Sequence, residues 1–185
     1  MRIVVTMLSL LVVCVGCAST RPSTSSASVD DPVTATYREQ LSAPIELPEL
    51  DARVVPPIGW QREPFKQSDR HNHLVWVSPT GGAAYGVIHF TMPLPVGEEL
   101  ALRGFLAEMK KSEGEATLLS KNRDGDRMRF VAEGGKYRIR GILLTRGFGG
   151  WAVYAGTLRS ASPAVDELAV AVQARENTAL GLGRD

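Results

Sequence analysis

Between Ala116 and Leu158 four β-rich runs follow one another with only compact glycine turns between them. Ala116 to Arg123 leads into Asp124-Gly125, and Arg127 to Glu133 leads into Gly134-Gly135. Tyr137 to Thr145 then leads into Arg146-Gly147-Phe148-Gly149-Gly150, and Trp151 to Leu158 closes the series. Asp-Gly and Gly-Gly between β-rich runs are hairpin signals, because glycine reaches the positive φ that tight turns need. The runs therefore form an antiparallel meander.

Upstream, Leu74-Val75-Trp76-Val77 and Ala83 to Phe90 flank Pro79-Thr80-Gly81-Gly82 and read as a further hairpin. Met92-Pro93-Leu94-Pro95-Val96-Gly97 cannot extend a central strand, because two prolines lack donors. From Glu98 to Ser112 the pattern turns helical. Leu102, Phe105, Leu106 and Met109 form one apolar stripe, with Glu98 and Glu99 at its start and Lys110 and Lys111 at its end. A last helix opens at Ser162-Pro163 and buries Val165, Leu168, Ala169 and Val172. Tyr37 to Leu41 suggests one isolated helical turn. Antiparallel strands with separate helices define an α+β fold: a twisted antiparallel sheet, built from a hairpin and a four-stranded meander, packed with two main helices.

This element order, together with the opening Pro57-Ile58-Gly59-Trp60, resembles the Mog1/PsbP-like fold over Val54 to Thr178. That fold occurs in photosystem II PsbP and in bacterial envelope lipoproteins of the DcrB and LpqN kind. The resemblance implies a sheet between helices and, as for most of its members, no enzymatic activity.

The N-terminus speaks to location. Arg2 precedes an apolar run from Ile3 to Val15, and Gly16-Cys17 then gives way to a Ser/Thr-rich stretch. The run is too short for the roughly 20 residues of a membrane-spanning helix and suits a secretion signal. Gly16-Cys17 resembles the lipobox of bacterial lipoproteins, although Cys14 stands where that family usually has leucine. The resemblance implies cleavage before Cys17 and lipidation of its thiol (diacylglyceryl, usually with a further acyl chain such as palmitate). Ala18, rather than Asp, favours the outer membrane. Cleavage there removes Cys14, so no disulfide can brace the domain. The expected organisation is a signal peptide at 1–16, a lipidated cysteine and disordered tether at 17–50, one globular domain at 51–180 and a tail at 181–185.

Chemical motifs are sparse. His71-Asn72-His73 after Asp69 places two imidazoles two residues apart, but without ligands at diagnostic spacing it reads as a polar loop. His89 reads as a half-buried strand residue. Asp124-Gly125-Asp126 lacks the further ligands of a calcium loop, and Gly147-Phe148-Gly149-Gly150 lacks the Lys-Ser/Thr of a phosphate-binding loop. No serine lies in Gly-x-Ser-x-Gly. No cofactor or metal is expected.

One constellation remains. If Gly134-Gly135 forms the turn, Arg129 faces Arg140, Val131 faces Arg138, and Arg127, Arg129, Arg138 and Arg140 share one sheet face. Like charges face to face are costly unless answered by acids or by an anionic ligand. The expected function is a membrane-tethered envelope module that binds or assembles with another protein, without nucleic acid. The alternative is a small-anion binder using those arginines with Trp151 or Tyr154.

Overall fold

The computed structural model describes residues 37–125 and 127–176. The signal segment, Cys17, residues 18–36 of the expected tether and the 181–185 tail lie outside them.

Short strands β1 (Ile45–Leu47) and β2 (Ala52–Val54) pair with each other. The main sheet contains β3 (Gln61–Arg62), β4 (Lys66–Gln67), β5 (His71–Val77), β6 (Ala83–Thr91), β7 (Thr117–Asp124), β8 (Arg127–Gly134), β9 (Tyr137–Arg146) and β10 (Gly149–Leu158). Its order is β3-β5-β6-β10-β9-β8-β7, with β4 also on β5 and every pairing antiparallel. Helix α1 (Glu98–Glu113) connects β6 to β7, and α2 (Pro163–Glu176) follows β10. The expected hairpin, meander and two helices are all present.

The sheet separates two apolar layers. Beneath α1, Leu102, Phe105 and Met109 pack on Ile88, Phe130 and Leu143. On the opposite face, Leu168 and Val172 of α2 pack with Leu74, Val87, Leu144 and Val153. Central β10 is covered on both faces, which explains its continuous Trp151-Ala152-Val153-Tyr154-Ala155 run. Leu106, expected inside the α1 stripe, is half-buried, and Glu108 is buried instead with Lys111 as its ion-pair partner. Gly114 ends α1 in the left-handed region, its N–H donating to Lys110 O.

Two expectations need correction. The tether was expected to run to residue 50, yet Leu41, Leu47 and Leu50 are buried against β5, β6 and β10. Backbone bonds from Ser42 N–H to Pro56 O and from Ile58 N–H to Gln40 O, both 2.9 Å, fasten this segment down. Its few leucines are spaced so that each reaches the core, although the average composition is that of a linker. The suggested helical turn is present as a 3-10 turn at Arg38–Gln40. The second correction is turn register. Gly134 pairs with Tyr137 and Arg146 with Gly149, so the loops are Gly135-Lys136 and Gly147-Phe148. Gly135 (φ +52°) and Gly147 (φ +56°) occupy the first loop position, the place glycine takes in a type II′ turn. Likewise Asp124 pairs with Arg127, which puts Gly125, not Asp124, first in its loop.

Candidate functional site

Arg127, Arg129, Arg138 and Arg140 do share a face, because a register change of two residues preserves alternation. Their partners change. Arg129 lies opposite Ile142, Arg140 opposite Val131 and Arg138 opposite Glu133. Arg138 donates to Glu133 at 2.8 Å, and Arg140 reaches both Asp166 oxygens, at 3.2 and 2.5 Å. Burial alone would raise the Asp166 carboxyl. Arg140, with help from the Thr157 hydroxyl and the charge of Arg138, outweighs that and leaves its pKa lowered. At these two positions carboxylates answer the arginines, and the face joins α2 to the sheet.

Tyr154 cannot belong to that cluster. It lies opposite Gly141, one residue out of phase with Arg140, and therefore projects from the other face. There it is buried beneath α1, edge-on to Phe105 at 5.8 Å. Its hydroxyl lies 2.8 Å from His73 Nε2.

The histidine segment is strand rather than loop: His71, Asn72 and His73 pair with Phe90, His89 and Ile88. Sequence reading missed this because the segment is polar, whereas only His73 faces the core. Desolvation lowers the His73 pKa to about 4, so the ring is neutral in the folded protein. His71 and His73 share a face, but His73 already has Tyr154 as its partner. Among the described residues no group of three His, Cys, Asp or Glu side chains could hold a metal. Ser68 Oγ lies 2.8 Å from His71 Nδ1 and also accepts the His71 N–H at 3.2 Å. The hydroxyl thus braces the β4–β5 turn, as serine commonly does in loops.

Two of the exposed large hydrophobic side chains stand at one end of the sheet, where β6 finishes and β10 begins. The loop after β6 is tied to the β9–β10 turn by bonds from Met92 N–H to Phe148 O (2.6 Å) and from Val96 N–H to Gly147 O (3.1 Å). Pro93 and Pro95 restrict the same loop. The braced tip presents Leu94 (42% exposed) and Phe148 (59% exposed) to solvent. Beside them an apolar cavity of about 40 Å³ opens between this loop, α1 and the sheet, lined by Phe90, Met92, Val96, Ala101, Gly104 and Phe105 among others. Two ion pairs flank the α1 side of the tip: Arg123 with Glu98 and Lys121 with Glu99. Sequence analysis treated Met92–Gly97 only as a strand breaker and Gly147–Gly150 only as a turn. Their pairing is a tertiary fact, although an isolated exposed-looking Phe between glycines is a signal that could have been used.

The fold has known counterparts. The solution structure of the cyanobacterial PsbP, CyanoP, from Synechocystis sp. PCC 6803 is similar with a TM-score of 0.53 and 14% identity, over 82% of this chain and 94% of that one. The fold is therefore PsbP-like, as the element order and the Pro57–Trp60 opening suggested. A crystal structure from Bacteroides thetaiotaomicron aligns with a TM-score of only 0.33 and 13% identity, over 65% of this chain and 43% of that one. No protein-family description matches the sequence, and no curated protein matches it.

Proposed function

We propose that this chain is a non-enzymatic, lipid-anchored module of the bacterial cell envelope that docks onto another protein through the tip formed by Leu94 and Phe148. The observation that carries the docking surface is the hydrogen-bonded bracing of the backbone that presents two exposed apolar side chains beside an apolar cavity. A braced loop loses little backbone freedom when it is covered. Flanked by paired charges, the two side chains have the anatomy of an interface hot spot. The partner surface this fits carries a protruding apolar side chain, because the cavity beside the tip is lined by apolar residues. Anchoring rests on the Arg2, apolar and Gly16-Cys17 arrangement of the N-terminus. It would place the domain on a membrane, facing the periplasm from the outer membrane.

Two experiments test the two halves. Cys17→Ser should release the protein from the membrane fraction, and unchanged sedimentation refutes the anchor. A photo-reactive residue at position 148 should give one discrete protein adduct in intact cells. That adduct should disappear with Leu94→Asp, while an equivalent probe at exposed Glu39 should not give it. Adducts confined to lipid, or insensitive to Leu94, refute the protein-docking surface.

A further inference from the structure

Strand β6 serves two surfaces through its two-residue alternation. Ile88, Phe90 and Met92 line the apolar cavity of the tip, whereas His89 and Thr91 line a separate cleft of about 500 Å³. Every side chain that lines this cleft is polar. Gln67, Asn72 and His89 come from a cross-strand row over β4, β5 and β6, and Asp69 and Arg70 come from the β4–β5 turn. His71 and Ser68 complete the lining.

The cleft is held in place from outside. His89 stacks on Trp151 with ring centroids 5.1 Å apart, and Trp151 Nε1 donates to Leu50 O at 2.7 Å. Asn72 Nδ2 donates to Glu49 O at 3.2 Å, and Thr91 N–H donates to Arg70 O at 2.9 Å. The N-terminal segment that packs onto the sheet thus fixes two residues of the row. Groups positioned this way lose little freedom on meeting a ligand.

We propose that this cleft binds an uncharged, hydroxyl-rich ligand: a glycan of one or two sugar rings. The size suits such a ligand, and a lining made of polar residues offers little to one that depends on hydrophobic burial. Imidazoles, carboxamides and hydroxyls each present both donor and acceptor capacity, as a sugar hydroxyl does. Charge argues in the same direction. Asp69 and Arg70 contribute one charge of each sign. Desolvation lowers the pKa of both His71 and His89, which leaves the rings neutral near pH 7. A strong anion would meet a single guanidinium next to a carboxylate. Among the described residues no metal-binding group of three offers an alternative. The Gln67, Asn72 and His89 row that carries this inference lies on the face of the sheet opposite the docking tip.

The test is calorimetric titration of the detergent-solubilised full chain with chitobiose, cellobiose, glucose 1-phosphate and inorganic phosphate. At least one neutral disaccharide should bind saturably, with a dissociation constant below about 10 mM. His89→Phe keeps a ring on Trp151 but removes both nitrogens, and should weaken binding about tenfold. Thr91→Val, which preserves side-chain shape, should weaken it about fivefold and covers the case in which His89→Phe fails to fold. Leu94→Asp should leave sugar affinity unchanged. Failure of both neutral disaccharides to saturate overturns the proposal. So does sugar binding indifferent to His89→Phe and Thr91→Val, or phosphate binding tighter than sugar and dependent on Arg70.

Discussion

His73 Nε2 and Tyr154 Oη stand 2.8 Å apart beneath α1, and burial disfavours the charged form of both: it lowers the histidine pKa and raises that of tyrosine. The pair satisfies two polar groups in an apolar layer, and its cost appears when the unfolded chain can take a proton that the folded one refuses.

That asymmetry fixes a pH dependence. The unfolded imidazole binds a proton below about 6.5, while folded His73 does so only near 4. Stability from this source is complete above 6.5, falls as pH drops toward 4, and levels off below. The full effect is at most roughly 3 kcal/mol. Urea midpoints measured between pH 7.5 and 4 should show this decline. His73→Gln retains a hydrogen-bonding side chain and should flatten the decline, leaving the parts due to His71 and His89 and, toward pH 4, to the lowered Glu99 and Asp166 carboxyls, all of the same sign. An identical slope in the variant would assign the acid sensitivity elsewhere.

Gly86 and Gly141 are required by rings. A Cβ on Gly86 would run into Tyr154 Cζ, and one on Gly141 would run into Phe130 Cζ. Alanine at either position should destabilise the fold by about 1–3 kcal/mol, because rings in a close-packed layer have nowhere to go. Denaturant titration would show this, and a loss below about 0.5 kcal/mol would mean that the rings slide aside freely.

The N-terminal segment should behave as core. Leu47→Ala and Leu50→Ala should each cost about 2–5 kcal/mol, as for other buried leucines. A chain beginning at Ala52 should melt well below one beginning at Tyr37. Equal melting temperatures would contradict the packing of Leu41, Leu47 and Leu50.

Arg140→Gln should be destabilising by about 1–2 kcal/mol, because it strands the partly buried Asp166 carboxylate. Had Arg129 faced Arg140, relief of repulsion would have made the change neutral or favourable. Asp166→Asn together with Arg140→Gln should recover part of the loss. An additive double variant would show that the pair is not coupled.

Much of the fold was legible because it rests on local chemistry: alternation in β5 to β10, helical spacing in α1 and α2, and glycine at each turn. What escaped was set by distant partners. Asp124-Gly125 and Gly134-Gly135 announce hairpins, yet which two residues form the loop depends on where positive φ is needed. Placing Gly135 first moves Arg138 from Val131 to Glu133 and separates Arg140 from Arg129, so that Arg138 gains a carboxylate partner and the repulsive facing pair is lost. His71–His73 read as loop because two polar neighbours masked one inward histidine. The tether boundary failed because Leu41 and Leu47 are too few to shift an average but are buried one by one. The tip and the cleft each combine segments far apart in sequence, so no local pattern could assemble them.

The Tyr37 hydroxyl donates to Glu167 at 2.7 Å, one turn into α2, while Leu41 forms a backbone bridge with Pro57. In mechanical terms this is a clip at the base of the domain. Tension applied at Tyr37 is borne first by that bond and then by the bridge, which link the start of the described residues to α2 and to the strand-free run at Val55–Gly59. The load path enters near the Leu158 end of β10, and the Leu94–Phe148 tip stands at its Gly149 end. If the chain is anchored as proposed, a membrane moving beneath the domain would pull on its base without straining the proposed docking tip.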